Sequence, residues 1–150
     1  MLRTHLIAMI ILFISITGFS QVSNPEDIRL LADGFQTIFW ENGSKYYGEV
    51  YEGEFSGKGT MVWADSSFYE GRWQNGMRHG KGAMQWPDGR KYFGRWKYDD
   101  PHGKGQMEWT NGKMYRGQFD EGKRSGKGKM KYEDGIIWKG EFLDGKPVKD

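Results

Sequence analysis

His79 and His102, and the lysines Lys58, Lys81, Lys104 and Lys127, are the side chains of this 150-residue chain with the most obvious chemistry, and both sets recur at a fixed 23-residue interval. A histidine pair could ligate a divalent metal. Positions two strands apart in a sheet, however, lie about 9–10 Å from each other, whereas two ligands of one ion each sit about 2.0–2.1 Å from it. The pattern therefore predicts no metal site. It assigns the histidines a turn-stabilising role with the ring bonded to nearby backbone; Ser56 and Ser125 stand in their place in other copies. Nucleophilic chemistry has no better candidate, because there is no cysteine and no Gly-x-Ser-x-Gly elbow. Glu49, Glu70 and Glu141 alternate with apolar positions beside Arg72 and Arg95 and read as a solvated charge mosaic. No catalytic residue and no cofactor are expected.

Two patterns could carry binding. The lysine row, reinforced by Arg78, Lys123 and Arg124, falls at one end of each repeating unit and could form a ladder for phosphate headgroups, each lysine near an anionic membrane contributing about 1 kcal/mol. Glu52, Glu54, Asp99, Asp100, Asp120 and Glu121 lie in or beside the same segments, which favours plain solubility for these lysines. The second pattern is a stripe of rings that includes Tyr69, Trp73, Tyr92, Trp96, Tyr115 and Phe119. Most of it must be core, yet a single layer cannot cover its own face, and exposed aromatic patches mark binding sites. A partner protein, a second copy of the chain or a sugar would fit there. With 22 Lys and Arg against 20 Asp and Glu, the balance points to no nucleic-acid partner.

These residues are positioned by repetition. From Tyr46 the chain restarts at Tyr69, Tyr92, Tyr115 and Trp138, with glycine rows at Gly48, Gly71, Gly94, Gly117 and Gly140, at Gly57, Gly80, Gly103 and Gly126, and at Gly59, Gly82, Gly105 and Gly128. Asn42, Asp65, Asp88, Asn111 and Asp134 mark the far end of each unit. Tyr69, Gly71 and Trp73 alternate with Glu70 and Arg72, and Gly82, Met84 and Trp86 with Ala83 and Gln85, so each unit reads as two strands with one apolar and one polar face. Residues 74–80 read as a loop, and Asp88-Gly89, Asn111-Gly112 and Asp134-Gly135 as two-residue hairpin turns. Glycines on the ring-bearing face leave slots in which a neighbouring ring can lie against backbone. The expected fold is all-β, an elongated single-layer antiparallel meander of about ten strands, each repeat leaning on its neighbours.

The pattern Tyr-x-Gly-x-Trp-x-x-Gly-x-x-His-Gly-x-Gly, carried here by residues 69–82, resembles the MORN (membrane occupation and recognition nexus) repeat. The resemblance covers a half-repeat at 35–45, repeats at 46–68, 69–91, 92–114 and 115–137, and a closing partial repeat at 138–150. It implies a non-catalytic module forming extended sheets for protein association, often dimerisation; phospholipid binding has been proposed for such arrays. Where MORN repeats accompany enzymes, such as phosphatidylinositol phosphate kinases or lysine methyltransferases, the catalytic domain is separate.

The N-terminal stretch differs in kind. Arg3 and His5 precede an apolar run from Leu6 to Ile16 and the small residues Gly18 and Ser20, the form of a secretory signal peptide at 1–20. The run is shorter than the roughly 20 residues a bilayer span requires. Ser23 with Glu26 reads as a capping box and Pro25 suits a first turn, so 21–34 is expected to be a linker or short capping helix ending at Gly34. Together these features predict an exported, periplasmic or extracellular recognition scaffold for a protein partner, with anionic phospholipid as the alternative ligand and glycan as a third.

Overall fold

The computed structural model describes residues 20–22 and 25–148. Their strands are β1 (Ser20–Val22), β2 (Gly34–Trp40), β3 (Lys45–Tyr51), β4 (Glu54–Val62), β5 (Phe68–Gln74), β6 (Met77–Gln85), β7 (Lys91–Lys97), β8 (Asp100–Glu108), β9 (Met114–Asp120), β10 (Lys123–Lys131), β11 (Ile137–Leu143) and β12 (Lys146–Pro147). They form one sheet in which spatial order is sequence order. From β2 onward every pair is antiparallel, as the local turns require. The exception is β1, which runs parallel to β2 with Ser20 opposite Ile38. The short strands β1 and β12 raise the expected ten to twelve.

The expected leader, apart from Ser20, and Ser23 of the expected capping box lie outside the described residues. Pro25–Leu30 is a 3-10 helix, shorter than the segment marked out by its punctuation. Ile28 is buried and Leu31 packs against the core, while Leu30 is exposed. The helix sits on the turn between β3 and β4, where Gly53 leaves no room for a Cβ beside Arg29.

Each hairpin corrects the sequence reading in the same way. The tight turns are Glu52-Gly53, Asn75-Gly76, Tyr98-Asp99, Glu121-Gly122 and Asp144-Gly145, with both central residues at positive φ, the type I′ geometry whose twist matches the strands. The segment from Met77 to Gly80, expected in a loop, is therefore strand. A bulge absorbs the glycines: Gly71 pairs with Gly82 but Arg72 pairs with His79. Gly80 at the bulge has φ 61°, a conformation glycine adopts without steric cost.

The Asn/Asp-Gly pairs make the longer turns instead. The Trp86 N–H donates to Arg90 O and the Gly89 N–H to Trp86 O, both at 2.9 Å. In each such turn the Asn or Asp side chain accepts a backbone N–H two residues on, as Asp88 Oδ1 does from Arg90 at 3.1 Å and Asp134 Oδ1 from Ile136 at 2.9 Å. A three-residue loop with one left-handed position results. In the Asp65 turn Ser66 takes that position at φ 67°.

The core is one layer of rings on one face. Tyr46, Tyr69, Tyr92 and Tyr115 have no exposed surface, and each ring lies over the two glycines of its own repeat. A Cβ on Gly71 or on Gly82 would come within 2.6 Å of Tyr69 Cζ. Each hydroxyl donates to the carbonyl three residues on, that of Arg72 at 2.8 Å for Tyr69 and of Arg95 at 2.8 Å for Tyr92. These carbonyls belong to residues that face the bulge, where the ladder is interrupted. Edge-to-face contacts link the repeats: Tyr69 meets Trp73 at 5.0 Å and Trp96 at 5.4 Å, and Tyr92 meets Trp96 at 5.1 Å and Phe119 at 5.0 Å. Met61, Met84, Met107 and Met130 complete the layer.

Candidate recognition surfaces

Because strand continues to the type I′ turn, the residues expected to form one basic edge divide among three places. Lys58, Lys81, Lys104 and Lys127 lie mid-strand and exposed on the face opposite the rings, opposite Arg72, Arg95, Gln118 and Glu141 respectively. Lys123 opens β10 at a turn, its Nζ 3.4 Å from Asp144. Arg78 and Arg124 are on the ring face. The Arg78 guanidinium lies 4.5 Å from the Trp96 ring centroid and its Nε 2.8 Å from Asp99 Oδ1. Arg124 sits over Tyr115 and Phe142 and donates to the Gly145 carbonyl. A continuous basic edge is therefore absent from the described residues: the bulge brings Arg78 into phase with Trp73, its cross-strand partner.

The row at this register is Phe55, Arg78, Pro101, Arg124 and Pro147, and its members share a task. Phe55 stacks on Tyr46 at 4.0 Å, Pro101 is buried, and the arginines lay their planar groups on rings. Their carbonyls also accept the N–H of the next repeat's tight turn, Phe55 O from Gly76 and Arg78 O from Asp99. The 23-residue spacing of this row was present in the sequence. Its residue types differ while their packing role does not, so nothing in their chemistry marks the row.

The six stripe residues Tyr69, Trp73, Tyr92, Trp96, Tyr115 and Phe119 are at most 6% exposed. Their rings are core, and of the six Trp73 alone lines the trough of the ring face. What the ring face offers is its outer row, Trp40, Trp63, Trp86, Trp109 and Tyr132, which is only partly buried. Between this row and the Phe55–Arg78 row runs a trough of about 530 Å³ walled by Trp63, Trp86, Phe55 and Met84, with the Arg78–Asp99 pair, Asp65 and Ser67 also lining it. Burial pushes the hydroxyl pKa values of Tyr46, Tyr69 and Tyr92 well above the ordinary phenol value, so these tyrosines are neutral bond donors with no acid–base role near neutral pH.

The histidines are on the opposite face, paired with Arg72 and Arg95. His102 Nδ1 lies 3.3 Å from Asp120 Oδ1, while His79 Nδ1 is buried without a hydrogen-bond partner, so the expected ring-to-backbone bond is not made there. Among the described residues no group of three or more His, Cys, Asp or Glu is placed to hold a metal ion, and no helix is long and apolar enough to cross a membrane.

Four consecutive segments, residues 46–68, 69–89, 92–114 and 115–137, match the model of the MORN repeat. The chain belongs to the MORN repeat family. That family is generally a non-catalytic repeat module. Among curated proteins none matches this MORN chain. Among solved structures it is similar to the TCP domain of SAS-4 (dCPAP) from Drosophila melanogaster, in complex with a proline-rich motif of Ana2 (dSTIL). The identity is 17%, the TM-score 0.43, and the likeness covers 71% of this chain and 58% of that one. It is also similar to the TCP10 domain of Danio rerio CPAP in complex with a peptide of Danio rerio STIL, at 11% identity and TM-score 0.45, covering 74% of this chain and 51% of that one. The MORN chain thus spans between about half and three-fifths of those two chains.

Proposed function

We propose that this MORN protein is an exported, non-enzymatic scaffold that binds a partner protein along the ring face. The observation that carries the reading is the trough between Trp63 and Trp86. Ring and methionine walls with the Arg78–Asp99 pair, Asp65 and Ser67 among them suit an extended segment that presents an apolar side chain and a polar handle, the usual division of labour in a recognition site. Trp and Arg are also the residues most often found at the energetic centre of protein interfaces. Export rests on the N-terminal pattern alone: an intact mass beginning near Gln21 supports it, and retention of Met1 contradicts it.

Three other occupants would behave differently. A sugar could stack on Trp63 and Trp86, and a second copy of the chain could cover the face as a homodimer. Anionic phospholipid would use Lys58, Lys81, Lys104 and Lys127, which share the opposite face. The test compares wild type with Trp63→Ser/Trp86→Ser and with a variant carrying Gln at all four lysines, each shown folded by circular dichroism. Partner capture that survives high salt and the lysine changes but is lost with the tryptophans supports the proposal. Binding that follows the lysines and anionic vesicles, or that is displaced by free glycan, overturns it, as does a tryptophan-dependent dimer with no other partner.

A further inference from the structure

The face opposite the rings carries an internal comparison that points to a second site. In the first full repeat Glu49 reaches across the bulge: its carboxylate lies over Gly57, and its Oε1 accepts the backbone N–H of Lys58 at 2.9 Å. A carboxylate is thus held by a bulge amide, beside an exposed lysine. At the equivalent place in the next two repeats stand Arg72 and Arg95, whose aliphatic stems lie against Gly80 and Gly103, as a Cβ there would meet Arg72 Cδ at 3.1 Å and Arg95 Cδ at 3.5 Å. An arginine can only donate, so it cannot replace Glu49 as acceptor. Gly80 and Gly103, at φ 61° and 62°, repeat the bulge conformation of Gly57.

Charge placement sharpens the contrast. Lys58 is directly opposite Arg72 and Lys81 directly opposite Arg95, and like charges facing each other across strands are destabilising. No ion pair to any of these four is formed among the described residues. With Lys104 they give five cations on the five consecutive strands β4–β8, a run on the order of 19 Å long, closed by Glu49 on β3 at one end and by Gln118 on β9 at the other. Toward the Gln118 end of this run, across β6–β9, is a recess of about 620 Å³ lined by Lys81, Arg95, Lys104, Gln118 and three glycines, with no carboxylate in its wall.

We infer that the bulges of the second and third repeats bind carboxylates supplied by another polypeptide, each received beside the arginine that stands where the first repeat has Glu49. Each site offers an arginine fork, a lysine and the amide-bearing bulge, donors suited to one carboxylate. Successive sites are two strands apart, about 9–10 Å. An extended chain in the polyproline-II form advances about 9.3 Å every three residues and returns to the same side, so an acidic segment with a carboxylate at every third position fits both sites. The inference is independent of the tryptophan trough, which lies on the other face.

The test is fluorescence anisotropy of the full chain with a labelled peptide of four Glu-Pro-Pro units at low salt, beside inorganic phosphate as competitor and phosphatidylserine vesicles as a second ligand. Wild type is expected to bind the peptide, with Trp63→Ser/Trp86→Ser binding equally well. Arg72→Glu/Arg95→Glu rebuilds the internal carboxylate in both repeats. It should weaken binding by about tenfold or more, the effect of losing charge-assisted hydrogen bonds, while its Tm stays level or rises. Should that variant fail to fold, Lys81→Gln/Lys104→Gln, which changes exposed side chains only, should weaken binding and flatten its salt dependence. Absence of peptide binding in wild type, affinity unchanged in the folded variants, peptide displacement by millimolar phosphate, or binding to the vesicles without binding to the peptide overturns the inference.

Discussion

At the scale of the residue, the tyrosine row is the economical part of this protein. A ring lying on two glycines needs no second layer, and its hydroxyl satisfies a carbonyl left at the bulge. Gly94→Val should be strongly destabilising, because its Cβ alone would come within 2.6 Å of Tyr92 Cζ and overpacking a core costs about 1–3 kcal/mol or more. Arg95→Val, one residue on and facing solvent, should stay within about 0.5 kcal/mol; urea unfolding of the two variants checks both. The slots were legible in the sequence, since alternation placed glycine and ring on one face. The partition of the basic residues was not. Arg78 and Lys81 are three apart and fall on opposite faces once one strand runs through both, but the turn-forming residue types of 74–80 read as a loop, in which no alternation applies.

The same tyrosines set the alkaline limit of the fold. Burial raises the folded-state pKa of Tyr46, Tyr69 and Tyr92 above the phenol value of about 10 that they have when unfolded. The folded state therefore binds these protons more tightly, and the stability that follows is fully present below about pH 10 and declines as pH rises above it. The part of the phenolate absorbance that belongs to these buried tyrosines is expected to appear together with loss of the sheet signal in circular dichroism. Titration of all tyrosines near pH 10 with the fold intact would contradict the burial.

At the scale of the element, the hairpin pattern was readable but its two turns were exchanged. Asn-Gly and Asp-Gly are strong tight-turn signals, yet here most of them close three-residue loops capped by their own Asn or Asp. The type I′ turns include Tyr98-Asp99, which has no glycine at all. Tyr98 holds φ 50°, a left-handed conformation that costs a non-glycine residue roughly 1–2 kcal/mol and that asparagine tolerates better. Asn75 occupies the equivalent place one repeat earlier. Tyr98→Asn should therefore raise stability by about 1 kcal/mol, read as an increase of roughly 2–4 °C in Tm for a chain of this size. A fall in Tm would mean that the Tyr98 ring, 6.0 Å from that of His79, contributes more than the turn costs.

At the scale of the whole molecule, a single sheet whose strands follow one another in space has two long faces and contacts between neighbours only. The period of the glycine rows made that architecture legible. Which part of each face is open was not legible, because Tyr, Trp and Met positions look alike until the rings are packed. Burial removes the inner rings from recognition and leaves Trp63 and Trp86 as walls of a trough. Site-specific photocrosslinking in the producing cell tests this most directly, with a photoreactive phenylalanine placed at Trp63, at Trp86, or at Lys139 of the opposite face. The account predicts a discrete adduct with the same second protein from positions 63 and 86, and none of that protein from position 139. No adduct from the two trough positions, or the same adduct from all three, would contradict it.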